Sequence, residues 1–317
     1  MSVFDILTMI GGLALFLYGM EVMGNGLSKA SGGRMERILE KMTDNIFKAV
    51  LLGAGVTAVI QSSSATTVMV VGFVNSGIMK LSQAVGVIMG ANIGTTVTSW
   101  LLSLTGIQGD NFILTLMKPS SFSPILAVIG VGFLMFSKNE KKHDIGMIFL
   151  GFTILMYGMD AMSGAVAPLA DVPEFANVLL MFSNPILGMI VGTLFTAIIQ
   201  SSSASVGILQ TLAMNGIVTT NAAIYITLGQ NIGSCVTAML SSMGGSRTAK
   251  RAAVMHLTFN VIGAIVFGTI GFIFFSLRPA FAAANINAVQ ISIFHTIFNL
   301  SMTTLLFPFA DVLVKIS

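Results

Sequence analysis

The chain has 317 residues, of which 55% are hydrophobic and only 9% are charged. Soluble domains carry about 25% charged residues, so the composition excludes an ordinary soluble domain and predicts an all-α polytopic membrane protein. A net charge of +3 gives no sign of a nucleic-acid-binding surface, and a single cysteine, Cys235, excludes an internal disulfide framework.

The predicted membrane spans follow from stretches of about 20 apolar residues. They are residues 4–23, 83–104, 113–136, 145–167, 221–242, 252–276 and 286–309. Two further apolar stretches, 47–60 and 65–78, flank the letters QSSS at 61–64. Each has about 14 residues, or roughly 21 Å of helix, which is too short to cross alone. This predicts a re-entrant hairpin or a broken helix with QSSS at its turn.

The same five letters, QSSSA, occur at 61–65 and again at 200–204, an offset of 139 residues. At that offset "YGME" at 18–21 meets "YGMD" at 157–160, and the letters NIG at 92–94 meet NIG at 231–233. The chain is therefore predicted to contain two copies of one membrane unit, residues 1–137 and 145–276. The polar linker 138–144 joins the copies, and residues 277–317 add a C-terminal transmembrane helix.

Charge placement predicts how the two copies are oriented. The segment before the first QSSS region carries the basic residues Lys29, Arg34, Arg37, Lys41 and Lys48. Its counterpart before the second carries Asp171 and Glu174 and no basic residue. The positive-inside rule then places the first region's entry, the linker 138–144 and the C-terminus in the cytoplasm. Each copy contains three full spans, an odd number, so the repeats are predicted to have inverted topology.

The duplicated QSSS motif has the chemistry to hold ions at the membrane midplane. Hydroxyls donate hydrogen bonds to an anion, and the N-terminus of the following half-helix presents N–H groups and a positive dipole end. The glutamine carbonyl and the hydroxyl oxygens suit Na⁺. The alternative is that the serines only satisfy a kinked helix by bonding to their own backbone. Duplication within arms too short to span favours the binding interpretation.

Two further sets of polar residues repeat. The segments "GANIGTTVT" at 90–98 and "GQNIGSCVT" at 229–237 could complete a cation shell, with glycine allowing local unwinding, or could serve close helix packing. Both "HLTFN" at 256–260 and "HTIFN" at 295–299 place His and Asn four residues apart on one helix face. For His256, Asn260, His295 and Asn299 we expect hydrogen bonds between helices rather than substrate contact.

Charged side chains are absent from the middle of every predicted span. Glu21 and Asp160 come closest, and both lie within about two turns of a span end. A proton-coupled carrier normally uses a titratable intramembrane group. Coupling to Na⁺ is therefore favoured over coupling to protons.

Paired QSSS motifs in inverted repeats, each followed by N-I-G-[ST], resemble the type II sodium-dependent phosphate cotransporters and their bacterial relatives. The resemblance implies uptake of inorganic phosphate with Na⁺ by alternating access across the cell inner (plasma) membrane, without a cofactor. It implies a phosphate site lined by Ser62, Ser63, Ser64, Ser201, Ser202 and Ser203. It implies sodium ligands at Gln200, Ser202, Ser234 and Thr237, with Gln61, Thr95 and Thr98 as the symmetry-related set. The asparagines Asn92 and Asn231 are added to this set from the chemistry of the two NIG segments.

Three other functions stay open at this point. A Na⁺-coupled carrier of another oxyanion or of a small organic anion would use the same groups. An intramembrane serine hydrolase acting through Ser62 or Ser201 would need a base beside the serine, yet residues 1–137 contain no histidine. A passive channel is the third alternative. The oligomeric state is not predicted.

Overall fold

The computed structural model describes residues 2–31, 45–106 and 118–317. Within these ranges the chain is helical, and the one β-type contact is an isolated bridge between Thr219 and Asn285. The α-helices, numbered along the described chain, are α1 Val3–Ala30, α2 Ile46–Ile60, α3 Ser63–Asn75, α4 Leu81–Ser103, α5 Pro119–Phe136, α6 Glu140–Val166, α7 Pro173–Met181, α8 Pro185–Ile199, α9 Ser202–Met214, α10 Thr220–Gly233, α11 Cys235–Ser242, α12 Arg247–Leu277, α13 Pro279–Ala283, α14 Ala288–Leu306 and α15 Ala310–Ile316.

Six helical segments of the described chain are long and apolar enough to cross a membrane, so this is a multi-pass membrane protein. They are Val3–Ala30, Leu81–Gly106, Glu140–Asp171, Thr220–Ser242, Arg247–Leu277 and Ala288–Ile316, which confirms six of the seven predicted spans. The remaining prediction, 113–136, begins outside the described residues, and its described part lies in α5. The basic residues Arg34, Arg37 and Lys41, which entered the orientation prediction, also lie outside the described residues.

Both QSSS regions form a helix, a turn and a second helix, as the short apolar arms predicted. In the first copy α2 has 15 residues and α3 has 13. In the second copy α8 and α9 have the same two lengths. At 1.5 Å per residue none of these helices reaches the ~30 Å of a hydrocarbon core. Neither arm is therefore long enough to cross the membrane by itself.

Glycines bring a long helix against the first arm of each QSSS region. A Cβ atom added to Gly90 of α4 would collide with the carbonyl oxygen of Val50 in α2, and one added to Gly229 of α10 would collide with that of Met189 in α8. Lipid gives helices no hydrophobic drive to associate, so close approach through small residues supplies the contact energy. The glycines of the "GANIG" and "GQNIG" segments thus serve close packing.

The local unwinding that these glycines were expected to allow is not seen in either copy. Helix α4 runs unbroken through the first NIG segment. In the second copy Ser234 separates α10 from α11, but it keeps helical angles (φ −62°, ψ −22°) and donates its backbone N–H to the carbonyl of Gln230 at 3.0 Å.

Helices α1 and α6, which correspond at the offset of 139, pack closely and antiparallel. Gly12 approaches the backbone of Gly158, and Gly19 approaches the backbone of Gly151. At the offset, Gly12 corresponds to Gly151 and Gly19 to Gly158. Each glycine therefore contacts the counterpart of the other, which is the pattern of an internal two-fold relation. This contact supports the inverted arrangement of the repeats.

The α1–α6 contact can be tested with two glycines of the same helix. Gly19→Ala should lower the apparent melting temperature of the detergent-solubilised protein, because its new methyl group would meet the backbone of α6. Overpacking of this kind costs about 1–3 kcal/mol. Gly11→Ala is the matched control, since a Cβ at Gly11 has nothing within 4 Å. Equal melting temperatures for the two variants would contradict the close packing.

Candidate functional site

A cavity of about 460 Å³ lies between the two QSSS turns. Both copies of the motif contribute to its wall, and the remainder comes mainly from one face of α1. The residues lining the cavity are Leu17, Met20, Glu21, Gly24, Asn25, Ser28, Ile60, Gln61, Ser62, Ser64, Met69, Gln200, Ser201, Ser202 and Ser203. The structure thus brings motifs 139 residues apart to one polar cavity.

Each turn starts its second helix with a serine cap. The Ser62 hydroxyl accepts a hydrogen bond from the backbone N–H of Ala65 at 3.1 Å, and the Ser201 hydroxyl accepts one from Ala204 at 3.2 Å. A capping hydroxyl uses its oxygen as the acceptor and keeps its proton for another partner. The cavity therefore combines free hydroxyl protons with the N-termini of α3 and α9, both of which favour an anion.

The glutamine of each motif adopts a left-handed backbone conformation. Gln61 has φ of 60° and Gln200 has φ of 59°, and they are the only non-glycine residues with positive φ in the described chain. For a residue with a Cβ this conformation costs about 1–2 kcal/mol. Glycine would adopt it without that cost. The presence of glutamine at both turns therefore indicates that its side chain is used.

Each glutamine side chain ties its turn to a neighbouring helix. Thr98 of α4 donates a hydrogen bond to Oε1 of Gln61 at 3.1 Å, and Thr237 of α11 donates one to Oε1 of Gln200 at 2.9 Å. The amide nitrogens donate to the backbone carbonyls of Ala58 and Ala197. A pair of oxygens, one from the turn and one from the neighbouring helix, is thereby held close together in each copy.

Other predicted site residues make contacts outside the cavity wall. Ser63 is buried and is not among the lining residues, although its counterpart Ser202 is. Thr95 donates to the carbonyl of Ala91 within α4, and Ser234 donates to the carbonyl of Asn231. In this conformation these three hydroxyls are not brought to the cavity.

The two histidines lie between helices. Nε2 of His256 in α12 is 3.4 Å from Oδ1 of Asn92 in α4, and Nε2 of His295 in α14 is 3.3 Å from Oδ1 of Asn231 in α10. The amides of Asn260 and Asn299 donate to the backbone carbonyl oxygens of His256 and His295, respectively. All six side chains are buried.

Sequence reasoning missed the symmetry of these contacts. It treated residues 277–317 as an addition outside the repeats. The structure shows that α14 pairs with Asn231 as α12 pairs with Asn92, so the same His–Asn contact braces the NIG segment of both copies. The matching letters HxxFN at 256–260 and 295–299 were the available signal.

Sequence reasoning also missed the contribution of α1. Glu21, Asn25 and Ser28 line the cavity with the QSSS residues. Their spacing places them on one face of a helix, which could have been recognised as a polar stripe in an otherwise apolar span.

Comparison with known proteins gives one family. A family model described as "Na+/Pi-cotransporter" matches residues 15–164 and 169–305. The chain is 31% identical over 252 residues to a Bacillus subtilis protein named "Uncharacterized protein YqeW", covering 79% of this chain and 78% of that one. It is 26% identical over 311 residues to the "Putative inorganic phosphate export protein YjbB" of Escherichia coli, covering 98% of this chain. It therefore spans about half, 54%, of that relative's length.

A mammalian relative matches over a shorter stretch. The "Sodium-dependent phosphate transport protein 2A" of Rattus norvegicus is 35% identical over 98 residues, which is 30% of this chain and 15% of the rat protein. No solved structure matches the chain significantly.

The left-handed turn gives a prediction about stability. Gln200→Ala and Gln200→Gly both remove the side-chain bonds, but only glycine also relieves the positive φ. Gln200→Gly should therefore be more stable than Gln200→Ala by about 1 kcal/mol in thermal unfolding of the solubilised protein. Ala197→Gly is the control. Because Ala197 lies inside α8, this variant should be less stable than the wild-type protein. If Gln200→Gly is less stable than Gln200→Ala, the turn is not strained.

Proposed function

Because the chain belongs to the Na⁺/Pi-cotransporter family, we propose that it is a Na⁺-coupled transporter of inorganic phosphate. It works in the inner (plasma) membrane and binds substrate between the two QSSS turns. The observation that carries this proposal is the single cavity lined by Ser62 and Ser64 from one copy and by Ser201, Ser202 and Ser203 from the other.

The cavity's chemistry suits an oxyanion held together with cations. Five serine hydroxyls and the N-termini of α3 and α9 supply hydrogen-bond donors. None of the described lining residues is lysine or arginine. A phosphate anion in this cavity therefore needs bound Na⁺ to balance its charge, which couples the two solutes.

The proposed Na⁺ sites are the two glutamine–threonine pairs. Oε1 of Gln200 and Oγ1 of Thr237 are 2.9 Å apart, and Gln61 and Thr98 repeat this arrangement. Carbonyl and hydroxyl oxygens at a broken helix are the ligands that bind Na⁺ in transporters built from repeats. Ser202 is the first residue of α9 and lines the cavity, and we assign it to both the cation and the anion.

Four predicted sodium ligands are left out of the proposed Na⁺ sites, because they form hydrogen bonds elsewhere. Asn92 and Asn231 contact the histidines, while Thr95 and Ser234 bond to their own helices. The histidines are given no catalytic role, because neither forms a hydrogen bond with a serine of the cavity in the described structure.

The two copies differ in a way that supports alternating access. The cavity-lining face of α1 contains Leu17, Met20, Glu21 and Gly24, whose counterparts in α6 are Met156, Met159, Asp160 and Ser163. On α6 two members of this face, Met156 and Met159, are buried, and Oγ of Ser163 accepts a hydrogen bond from Asn215 at 2.9 Å, whereas Asp160 is exposed. The α1 face therefore borders the central cavity, and the α6 face is partly covered by packing.

The central cavity adjoins a second cavity on the side of the protein that is predicted to face the cytoplasm. Ser28 lines both the central cavity and a neighbouring cavity of about 490 Å³, whose other lining residues are Lys29, Glu140, His143 and Asp144. Glu140, His143 and Asp144 belong to or adjoin the linker predicted to be cytoplasmic. This conformation is accordingly the inward-facing one, and exchange of the two faces produces the outward-facing one.

The direction of net transport depends on the Na⁺ gradient, because a coupled cycle runs either way. An inward gradient favours phosphate uptake, which the resemblance implies. The E. coli relative's printed name describes phosphate export, so export is the second candidate for the direction of this chain. The coupling and the binding site are the same in both cases.

Two alanine variants at matching positions of the two QSSS motifs test whether the cavity serines bind phosphate. Ser202→Ala removes a cavity hydroxyl, whereas Ser63→Ala removes the buried hydroxyl at the same position of the other motif. Losing a hydrogen bond to a charged group costs about 1.5–3 kcal/mol, so Ser202→Ala should weaken phosphate binding roughly 10- to 150-fold. Ser63→Ala should stay near the wild-type dissociation constant. Binding of labelled phosphate to the purified variants in Na⁺ measures both.

A thermal-unfolding scan of the same samples separates binding from folding. A Ser202→Ala protein that is destabilised but binds phosphate normally would show that the serines serve the helix break rather than the substrate.

Transport itself is tested in proteoliposomes. An inward Na⁺ gradient should drive accumulation of labelled phosphate, a reversed gradient should drive its release, and a proton gradient in choline buffer should drive neither. Excess sulfate, arsenate and carboxylates as competitors distinguish phosphate from other anions. Movement only down the phosphate gradient, with no response to Na⁺, would identify a passive channel instead.

A further inference from the structure

A second polar cavity, of about 310 Å³, lies where the N-terminal ends of α8 and α10 meet the C-terminal end of α12. It is separate from the QSSS turns. The other end of α12 begins with Arg247 and is basic, so the positive-inside rule places the cavity at the non-cytoplasmic side of the membrane. Its wall mixes polar and aromatic side chains, as is typical of the headgroup level of a bilayer. They include Ser183, Asn221, Tyr225, Phe272, Phe275 and Ser276.

Tyr225 brings an unused hydroxyl to this cavity. Its side chain is 2% exposed, and its ring packs edge-on against Phe275 with the centroids 5.9 Å apart. The hydroxyl forms no hydrogen bond with any residue that the structure describes. A polar group buried without a partner destabilises the protein. A ligand in the cavity that accepts a hydrogen bond from Tyr225 removes this cost.

Asn221 and Arg278 add further donors at the same place. Oδ1 of Asn221 accepts three hydrogen bonds from neighbouring residues at 2.8–3.2 Å, which orients the amide and leaves Nδ2 without a partner in the described part of the chain. Arg278 is exposed, forms no ion pair with a described residue, and adjoins Pro279 of the cavity wall. Two neutral donors and one cation favour an anionic oxygen group such as a phosphodiester.

An apolar groove of about 360 Å³ lies deeper on the same three helices. Ile186, Ile190 and Leu194 line it from one face of α8 and are 65%, 47% and 57% exposed, and Ile265 lines it from α12. The hydroxyl of Thr193, the polar member of this lining, donates to backbone carbonyls. The groove therefore presents apolar surface alone, which fits an acyl chain.

The cavity and the groove are close enough to hold one molecule. On α8 the cavity ends at Pro185 and the groove begins at the next residue, Ile186. On α12 the groove residue Ile265 and the cavity residue Phe272 lie seven residues apart on one helix face, or about 10 Å. Both are exposed, at 63% and 57%. A chain attached to a headgroup in the cavity can follow this face into the groove.

We propose that a glycerophospholipid of the non-cytoplasmic leaflet binds here, with its phosphodiester at Tyr225, Asn221 and Arg278 and one acyl chain in the groove between α8 and α12. At the offset of 139 the counterpart of Tyr225 is Gly86 and that of Arg278 is Asn139. The site thus belongs to the second copy alone and does not depend on the proposed phosphate transport. The bound lipid bridges α12 and α8, the first arm of the second QSSS region.

Thermal unfolding of the purified full chain, after detergent washing to remove lipid, tests the headgroup contact. Dioleoylphosphatidylglycerol should raise the melting temperature. Tyr225→Phe deletes only the hydroxyl and should raise the half-maximal lipid concentration about tenfold, as expected for losing a hydrogen bond to a charged group. Tyr157→Phe, at an exposed tyrosine of α6, should leave it unchanged. Equal values for Tyr225→Phe and the wild type overturn the headgroup assignment.

The charge is tested in the same assay with the two ends of α12. Arg278→Gln should also raise the half-maximal lipid concentration about tenfold. Arg247→Gln removes an exposed arginine from the opposite end of the helix and is the matched control. An equal effect of the two variants would show general attraction of a basic protein to an anionic lipid and would overturn the site.

Two fragments of the lipid distinguish it from a free phosphate ester. Glycerophosphoglycerol has the phosphodiester without the chains, and dioleoylglycerol has the chains without the phosphate. In choline buffer neither fragment should stabilise the protein at the concentrations at which the intact lipid does. If glycerophosphoglycerol is as effective as the lipid, the cavity binds a soluble phosphate ester and the lipid assignment is wrong.

The acyl chain is tested by narrowing the groove. Ile190→Trp places a larger side chain at a half-exposed groove position, so the protein should fold but lose most of the phosphatidylglycerol that mass spectrometry finds retained after purification. Ile270→Trp enlarges an exposed residue of α12 that does not line the groove and should retain wild-type amounts. Equal retention by both variants overturns the acyl-chain assignment.

Discussion

The constraint on which the structure depends is that polar groups inside a membrane need partners in the protein, because water is not available to solvate them. A helix that breaks at membrane depth exposes backbone groups, and the QSSS turns satisfy these locally. The serine caps accept from the backbone N–H of the third residue of α3 and of α9, and the glutamine amides donate to the carbonyls of Ala58 and Ala197. The hydroxyl protons of the two capping serines, Ser62 and Ser201, are not used by these caps. They and the N-termini of α3 and α9 lie at the central cavity. Breaking the helix therefore leaves polar groups at the wall of the cavity.

Glycine packing and the glutamine contact depend on each other. In α4 the residues Gly90, Gly94 and Thr98 follow one another at intervals of four, and Gly229, Gly233 and Thr237 repeat the interval in the second copy. Glycines at the first two positions let the helix lie directly on the backbone of the first arm. The threonine one turn further on then reaches the glutamine of the turn. A larger residue at either glycine would move the threonine away and leave the glutamine carbonyl without its partner.

The repeats share a pattern but not a conformation. The α1 face borders an open cavity, while the corresponding α6 face is held by the buried Met159 and by the bond from Asn215 to Ser163. Packed helix interfaces change between discrete arrangements rather than deforming continuously. The shared landmarks of the two copies thus occur in two different packing environments within one structure. The His–Asn braces of α12 and α14 lie behind each NIG segment and are present in both copies.

The sequence by itself determined the features that depend on local composition and length. Apolar runs of about 20 residues defined the spans, and the short arms around 61–64 and 200–203 required helix breaks at depth. The offset of 139 predicted the duplication, and the motif pair indicated the family to which the chain belongs. Each of these depends on a few neighbouring letters or on their repetition.

The tertiary structure alone decided which of these residues meet. Ser202 lines the cavity and Ser63 does not, His256 contacts an asparagine from the other copy, and Glu21 shares a wall with the QSSS turns. An almost uniformly apolar helix carries little information about which face meets which neighbour, since lipid and protein interior are similarly apolar. Glycines let the backbones of helices far apart in the chain approach closely, as Gly90 does at Val50 and Gly229 at Met189. Those contacts, and therefore the composition of the cavity wall, exist only once the helices have assembled.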